Sequence, residues 1–248
     1  MTLTIIASGS AANAYLLTAD DGTKLLIEAG VHIDRIKQAV GYSFTHVAGC
    51  LVTHEHADHA KAAAGLLRLG VEVWASAGTH VALGTDTHHR ARVIIPEVTV
   101  QVGPFKVRAF PVEHDAAEPF GFLIWHPESG TILFLTDSAY STYKFDGLNN
   151  IIIEANYSLG ILDRRLHDEE TPRFLRDRII RNHMNLETCM ELLRANNLSA
   201  VNKIVLIHLS DGNSHERDFI SAVRAAIGRE AIIARDGLRI PHFNKTPF

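Results

Sequence analysis

Thr53-His54-Glu55-His56-Ala57-Asp58-His59 constrains this chain more than any other stretch. It follows an apolar run, Val47 to Val52, expected to be a buried strand. It precedes an Ala/Leu-rich run, Ala60 to Leu69, expected to be a helix. Four potential metal ligands therefore fall in one short strand-to-helix turn. In an extended turn His54 and His56 project to the same side, because side chains alternate with period two. Asp58 and His59 fall at the helix start and aim differently, so one turn can serve two adjacent metal sites. A polar loop whose histidines cap the helix is the competing reading. Three imidazoles and a carboxylate at this spacing have few such structural uses.

The same chemistry recurs further along. His114 follows the apolar run Phe105 to Phe110, Asp137 follows Thr131 to Phe134, and His208 follows Lys203 to Ile207. Strand ends are where a sheet scaffold presents reactive groups. Any one of these residues alone is more simply a cap or a turn residue, but together with the histidine turn they form a set. Six or seven N/O ligands without cysteine suit a two-metal site of Zn²⁺, Mn²⁺ or Fe.

Around this set the pattern alternates strands with helices at Ile33 to Val40, Gly78 to Leu83, Thr171 to about Arg181, Asn185 to about Asn196, and Ser214 to about Ile227. Strands come in two batches with helices after each, which implies two sheets back to back with helices outside. No linker or repeat is visible, so a single domain over residues 1–248 is expected, with 241–248 as a C-terminal tail. The formal charge of −4 exerts no global pull on nucleic acid, and any polyanion must be held by a local field. Cys50 and Cys189 sit in an apolar strand and a helical pattern, too few and too isolated for a disulfide framework. The opening residues lack a basic n-region, and no apolar run reaches membrane-spanning length. A cytoplasmic location is the expectation.

His54-x-His56-x-Asp58-His59 with His114, Asp137 and His208 resembles the signature of the metallo-β-lactamase-fold hydrolases. The resemblance covers nearly the whole chain. It implies an α+β fold, an αββα four-layer sandwich of two mixed sheets with the site at one edge. It also implies a ligand assignment: His54, His56 and His114 on one cation, Asp58, His59 and His208 on the other, and Asp137 bridging them with a hydroxide. Two divalent cations (Zn or Mn) against two carboxylates and a hydroxide leave a net positive site that attracts an anion. Where many relatives carry Asp before the Ala-Gly turn, this chain has Glu28, expected to orient the histidine turn through its longer arm rather than to bind metal.

Pro111 to Gly121, Ile153 to Tyr157, His183-Met184-Asn185 and His208 to Asn213 resemble stretches around the site in the YycJ/WalJ group, which is linked to 5′→3′ exonuclease activity on DNA. A metal-dependent phosphodiesterase follows as the expected function, with a strand of single-stranded DNA or short nucleic acid as substrate and possible homodimers. Asp58 and His183 are the expected catalytic residues, His183 as a donor to the scissile phosphate or leaving oxygen. The segment 164–183, rich in arginine but also holding Asp168, Glu169 and Glu170, is the expected substrate wall. Arg164, Arg165, Ser210 and Asn213 are its candidate substrate contacts. Read instead as a solvated helix, the segment would form pairs such as Arg173–Asp177. Three further readings stay open at this point: degradation of cyclic nucleotides, hydrolysis of a lactone or thioester in an apolar pocket, and a non-enzymatic binding role.

Overall fold

The computed structural model describes residues 1–168 and 170–246. Glu169 and the last two residues of the expected tail lie outside the described residues.

Elements are numbered in chain order. One sheet is built from β1 (Thr2–Ala7), β2 (Ala14–Thr18), β3 (Lys24–Ile27), β4 (Val47–Leu51), β5 (Val73–Ala75) and β6 (Ala91–Val93), with β14 (Arg239–Ile240) beside β1. The other holds β7 (Thr99–Val102), β8 (Phe105–Pro111), β9 (Phe120–His126), β10 (Gly130–Leu135), β11 (Leu148–Glu154), β12 (Lys203–Ile207) and β13 (Ile232–Ile233), in spatial order from β7 to β13. Each sheet is mixed. Strands β1 to β3 pair antiparallel and β3 to β6 parallel. In the second sheet β7 to β10 are antiparallel and β10 to β13 parallel.

The parallel strands carry apolar residues on both faces, as doubly covered strands must. In β12, Val205 and Ile207 face inward between the sheets, in one cluster with Leu3 and Ile5 of the other sheet and Phe122 and Phe134 of their own. Ile204 and Leu206 face outward, onto Leu193 of α7 (Leu186–Ala195) and Phe219 of α8 (Glu216–Ile227). On the opposite side Leu26, Cys50 and Val73 pack under Ile36 of α1 (Ile33–Val40) and Leu66 of α3 (Ala63–Arg68). These layers make an αββα sandwich.

Several local expectations are corrected. The helix expected over 60–69 is broken into α2 (Ala57–Ala60) and α3. The Asp58 carbonyl, which would accept from Ala62 N in a continuous helix, accepts instead from Asn13 N at 2.7 Å, and Ala62 N donates to the Ala29 carbonyl at 2.8 Å. Ser214 does not cap α8, whose N-cap is His215; its hydroxyl donates to the Ser210 carbonyl at 2.8 Å. Pro172 rather than Thr171 is the N-cap of α6 (Arg173–Asn182). An unanticipated helix, α5 (Leu159–His167), buries only Leu162, too thin an apolar stripe to show as a period. Arg173 does not pair with Asp177, which is held by Arg176 at 3.3 Å. Within the expected tail, Phe243 belongs to the core: it is fully buried between the sheets, and the Asn244 carbonyl accepts from the Asn150 and Asn202 amides.

Candidate metal centre

Polar residues leave the same edge of the sandwich from successive strand ends. Glu28 follows β3, His54 comes three residues after β4, Asp137 two after β10, and His208 directly after β12, while Glu154 is the last residue of β11. Glu28, Asp137 and His208 adopt left-handed backbone with φ of 65°, 47° and 55°. That conformation turns each strand end sharply and strains a non-glycine residue, which a functional site commonly tolerates.

The structure brings all seven residues of the expected ligand set together. His54, His56 and His114 present ring nitrogens within 4.8 Å of one another, and carboxylate oxygens of Asp58 and Asp137 gather with ring nitrogens of His59 and His208 within the same distance. Asp137 stands between the two groups. Its Oδ2 lies 2.7 Å from His59 Nε2, 3.4 Å from His54 Nε2 and 3.8 Å from His114 Nε2. Asp58 Oδ2 reaches His59 Nε2 at 3.2 Å and His208 Nε2 at 3.7 Å.

The rings are oriented from behind. His54 Nδ1 is 2.9 Å from the Thr53 hydroxyl, His114 Nδ1 donates to the Asn182 carbonyl at 3.1 Å, and His208 Nδ1 donates to Glu154 Oε1 at 2.9 Å. Each bond leaves Nε2 facing inward. Glu28 is fully buried; its Oε1 accepts from Thr53 N at 3.2 Å and its Oε2 sits 3.5 Å from His59 Nδ1. Asn13 Nδ2 lies 3.2 Å from His59 Nε2, and the Ser8 hydroxyl accepts from His208 N at 3.0 Å. Such outer contacts set ring tautomer and direction at metal sites.

Burial, with the neighbouring His59, keeps the His54 imidazole well below its ordinary pKa, and burial lowers His114. Both are neutral, the form in which a ring nitrogen donates to a cation. Burial opposes ionisation of Asp137 and Asp58, but the imidazoles of His208 and His59 outweigh it and hold both carboxyls below the usual range. The Nε2 atoms of His54 and His208 are buried without any hydrogen-bond partner. Buried nitrogens left unpaired beside carboxylate oxygens are costly. Three nitrogens on one side, nitrogens and a carboxylate on the other and a carboxylate between them fit two divalent cations.

His183, expected from the sequence as a catalytic donor, lines the same cavity of about 150 Å³ with His56, Asp58 and His114. Its Nδ1 donates to Glu154 Oε1 at 2.8 Å and lies 3.4 Å from Asp137 Oδ1. Burial disfavours its charged form, but Glu154 and Asp137 prevail and raise it to about 9.

The other expected contacts lie apart. Arg164 is exposed on α5 and does not line the cavity. Arg165 is spent locally, on Asn213 Oδ1 at 3.1 Å and Glu170 at 3.2 Å. Asn213 is buried and donates to the Ser210 hydroxyl at 3.0 Å, so both shape the turn into α8. In their place the cavity is lined by Ser10, Arg178 and Asn182. Glu154 is the residue that sequence reasoning missed. Its signal was the one used for the others, a polar group closing a buried apolar run.

The sequence profile of the beta-lactamase superfamily domain matches residues 23–209. Exodeoxyribonuclease YycJ of Bacillus anthracis is 30% identical over 171 residues, a match that covers 64% of this chain and 64% of that relative, just under two thirds of its length. Exodeoxyribonuclease WalJ of Streptococcus pneumoniae is 27% identical over 226 residues, 85% of this chain and 82% of the relative. Among solved structures, the metallo-beta-lactamase fold protein YhfI from Bacillus subtilis superposes with a TM-score of 0.71 at 16% identity, over 96% of this chain and 98% of that one. With its two mixed sheets, its flanking helices and its histidine turn, the chain belongs to the beta-lactamase superfamily.

Proposed function

We propose that this protein is a metal-dependent phosphodiesterase that releases nucleotides from single-stranded DNA. His54, His56 and His114 would hold one divalent cation, Asp58, His59 and His208 a second, and Asp137 both. The cations, Zn²⁺ or Mn²⁺, supply Lewis acidity toward phosphoryl oxygens and acidify a water when bound.

His183 carries this reading. A ligand set alone serves many hydrolyses, but His183 adds a positioned imidazole beside it. Glu154 fixes its Nδ1 at 2.8 Å, so the ring is locked and Nε2 is left for a substrate. With Nδ1 held by a carboxylate, the ring offers its Nε2 to a phosphate oxygen or a leaving alkoxide. Arg178 and Asn182 add a guanidinium and an amide to the lining, which suits an anion rather than the apolar body of a lactone or thioester. Two relatives at 27% and 30% identity bear exodeoxyribonuclease names.

The test is an assay of 5′-phosphorylated single-stranded DNA with Mn²⁺ and then Zn²⁺, with Asp58→Ala as control. Mononucleotide release that disappears in Asp58→Ala is the expected result. Metal-loaded protein that turns over no phosphodiester would overturn the proposal.

A further inference from the structure

Next to the candidate centre lies a larger cavity of about 590 Å³, walled by α6 on one side and the loop after β8 on the other. The two cavities are neighbours, and His114, Arg178 and Asn182 line both. On α6 the lining residues Phe174, Asp177, Arg178 and Arg181 fall at i, i+3, i+4 and i+7, one face of a helix. Phe174 is 76% exposed, an isolated ring that no packing requirement explains. The side chains of Arg178 and Arg181 make no hydrogen bond or ion pair among the described residues. The Asp177 carboxylate on the same face is engaged by Arg176, which also holds Asp163 at 2.7 Å. The opposite wall carries Glu113 and Asp115.

We infer that this groove is the binding track for the rest of a single-stranded DNA substrate, with Arg178 and Arg181 on its phosphates and Phe174 stacked on a base. This rests on the phosphodiesterase reading and names how that substrate is held. A polynucleotide strand has two chemically different edges, and the groove has two matching walls. The free guanidiniums on α6 face the phosphates. The carboxylates across the groove can accept from exocyclic amino groups of bases. An exposed aromatic ring one helical turn from a free arginine is a combination that grips single strands. Arg178, shared by the two cavities, joins this track to the reacting phosphodiester. The mild net charge of the chain is compatible with this, because the cations that matter are local.

The experiment measures anisotropy of a fluorescein-labelled phosphorothioate hexadeoxycytidylate on metal-loaded protein, beside cleavage of the ordinary strand. Phe174→Ala should weaken binding about tenfold without changing the salt slope. Arg181→Ala should weaken it and reduce the slope of log K against log salt by about 0.7. Arg173→Ala, an exposed cation of the same helix outside the groove, should stay within about twofold of wild type. All three side chains are exposed, so folding is not at stake. Wild-type cleavage with Phe174→Ala binding as tightly as wild type would overturn the groove and leave the phosphodiesterase standing. Equal weakening by Arg173→Ala would also overturn it. A wild-type protein that neither binds nor cleaves the strand would remove the phosphodiesterase reading itself.

Discussion

His183 and His208 share a single oxygen of Glu154, at 2.8 and 2.9 Å from their Nδ1 atoms. The other oxygen accepts from Ser138 N at 3.3 Å and Met184 N at 3.1 Å. Four donors thus converge on one fully buried carboxylate.

Glu154→Gln tests that arrangement. An amide accepts through one oxygen only and places an NH₂ against two of the donors. The variant should lose about 10–100-fold in metal affinity or turnover, as outer ligand partners do. Metal titration by calorimetry and kcat on the same preparation would measure it. Wild-type values would show that Glu154 does not orient these rings.

Gly30 lies against the histidine turn. A Cβ there would stand 1.6 Å from the Asp58 carbonyl oxygen and 2.7 Å from His59 N, both backbone atoms. Gly30→Ala should therefore cost about 2–3 kcal/mol and displace Asp58 and His59. Urea unfolding of metal-stripped protein gives the first effect, and metal content after reloading gives the second.

Removing metal should lower thermal stability. The site gathers buried carboxylates that its imidazoles balance only by taking up protons, as the raised His59 and His208 indicate. Chelation should lower the melting midpoint, and Zn²⁺ or Mn²⁺ at about a hundred times Kd should restore about 2.7 kcal/mol for each ion bound. A midpoint indifferent to chelator and metal would count against a metal centre. Plasma emission of the loaded protein should find about two ions per chain, the number that a bimetal centre holds.

His80 offers a pH test away from the centre. It is fully buried, with Nδ1 2.9 Å from the Thr85 hydroxyl and Nε2 3.2 Å from the Arg92 carbonyl. Burial lowers its pKa below the ordinary value. The unfolded chain therefore takes up a proton that the folded one refuses. The contribution of His80 to stability is complete above about pH 6.5 and is lost as pH falls from there toward the depressed value. Between about pH 7.5 and 5.5, metal-stripped wild type should lose more stability than His80→Gln. Parallel losses would show that His80 does not contribute.

The fold and the seven expected ligands are legible in the sequence for one reason. Each ligand closes an apolar run, or sits in the turn after one, and a short unbroken apolar run bounded by turn residues marks a buried strand. Glu154 satisfies the same rule, but a lone carboxylate after a strand is indistinguishable from a turn residue until the donors around it are placed. Ser8 and Asn13 act through the pairing of β1 with β2, which brings their loop to His59 and His208. Arg178 instead of Arg164 faces the site, and no stripe says so: α6 fully buries only Asn182. Phe243 looked like a tail residue because a single aromatic beyond a two-residue strand carries no period.

Glu28, Asp137 and His208 keep left-handed backbone where glycine or asparagine would rest more easily. Selection for heat resistance alone would therefore find some of its cheapest gains at these three strand ends. A thermostable descendant bred without metal and without an activity screen would lose its centre first, while its sandwich improved.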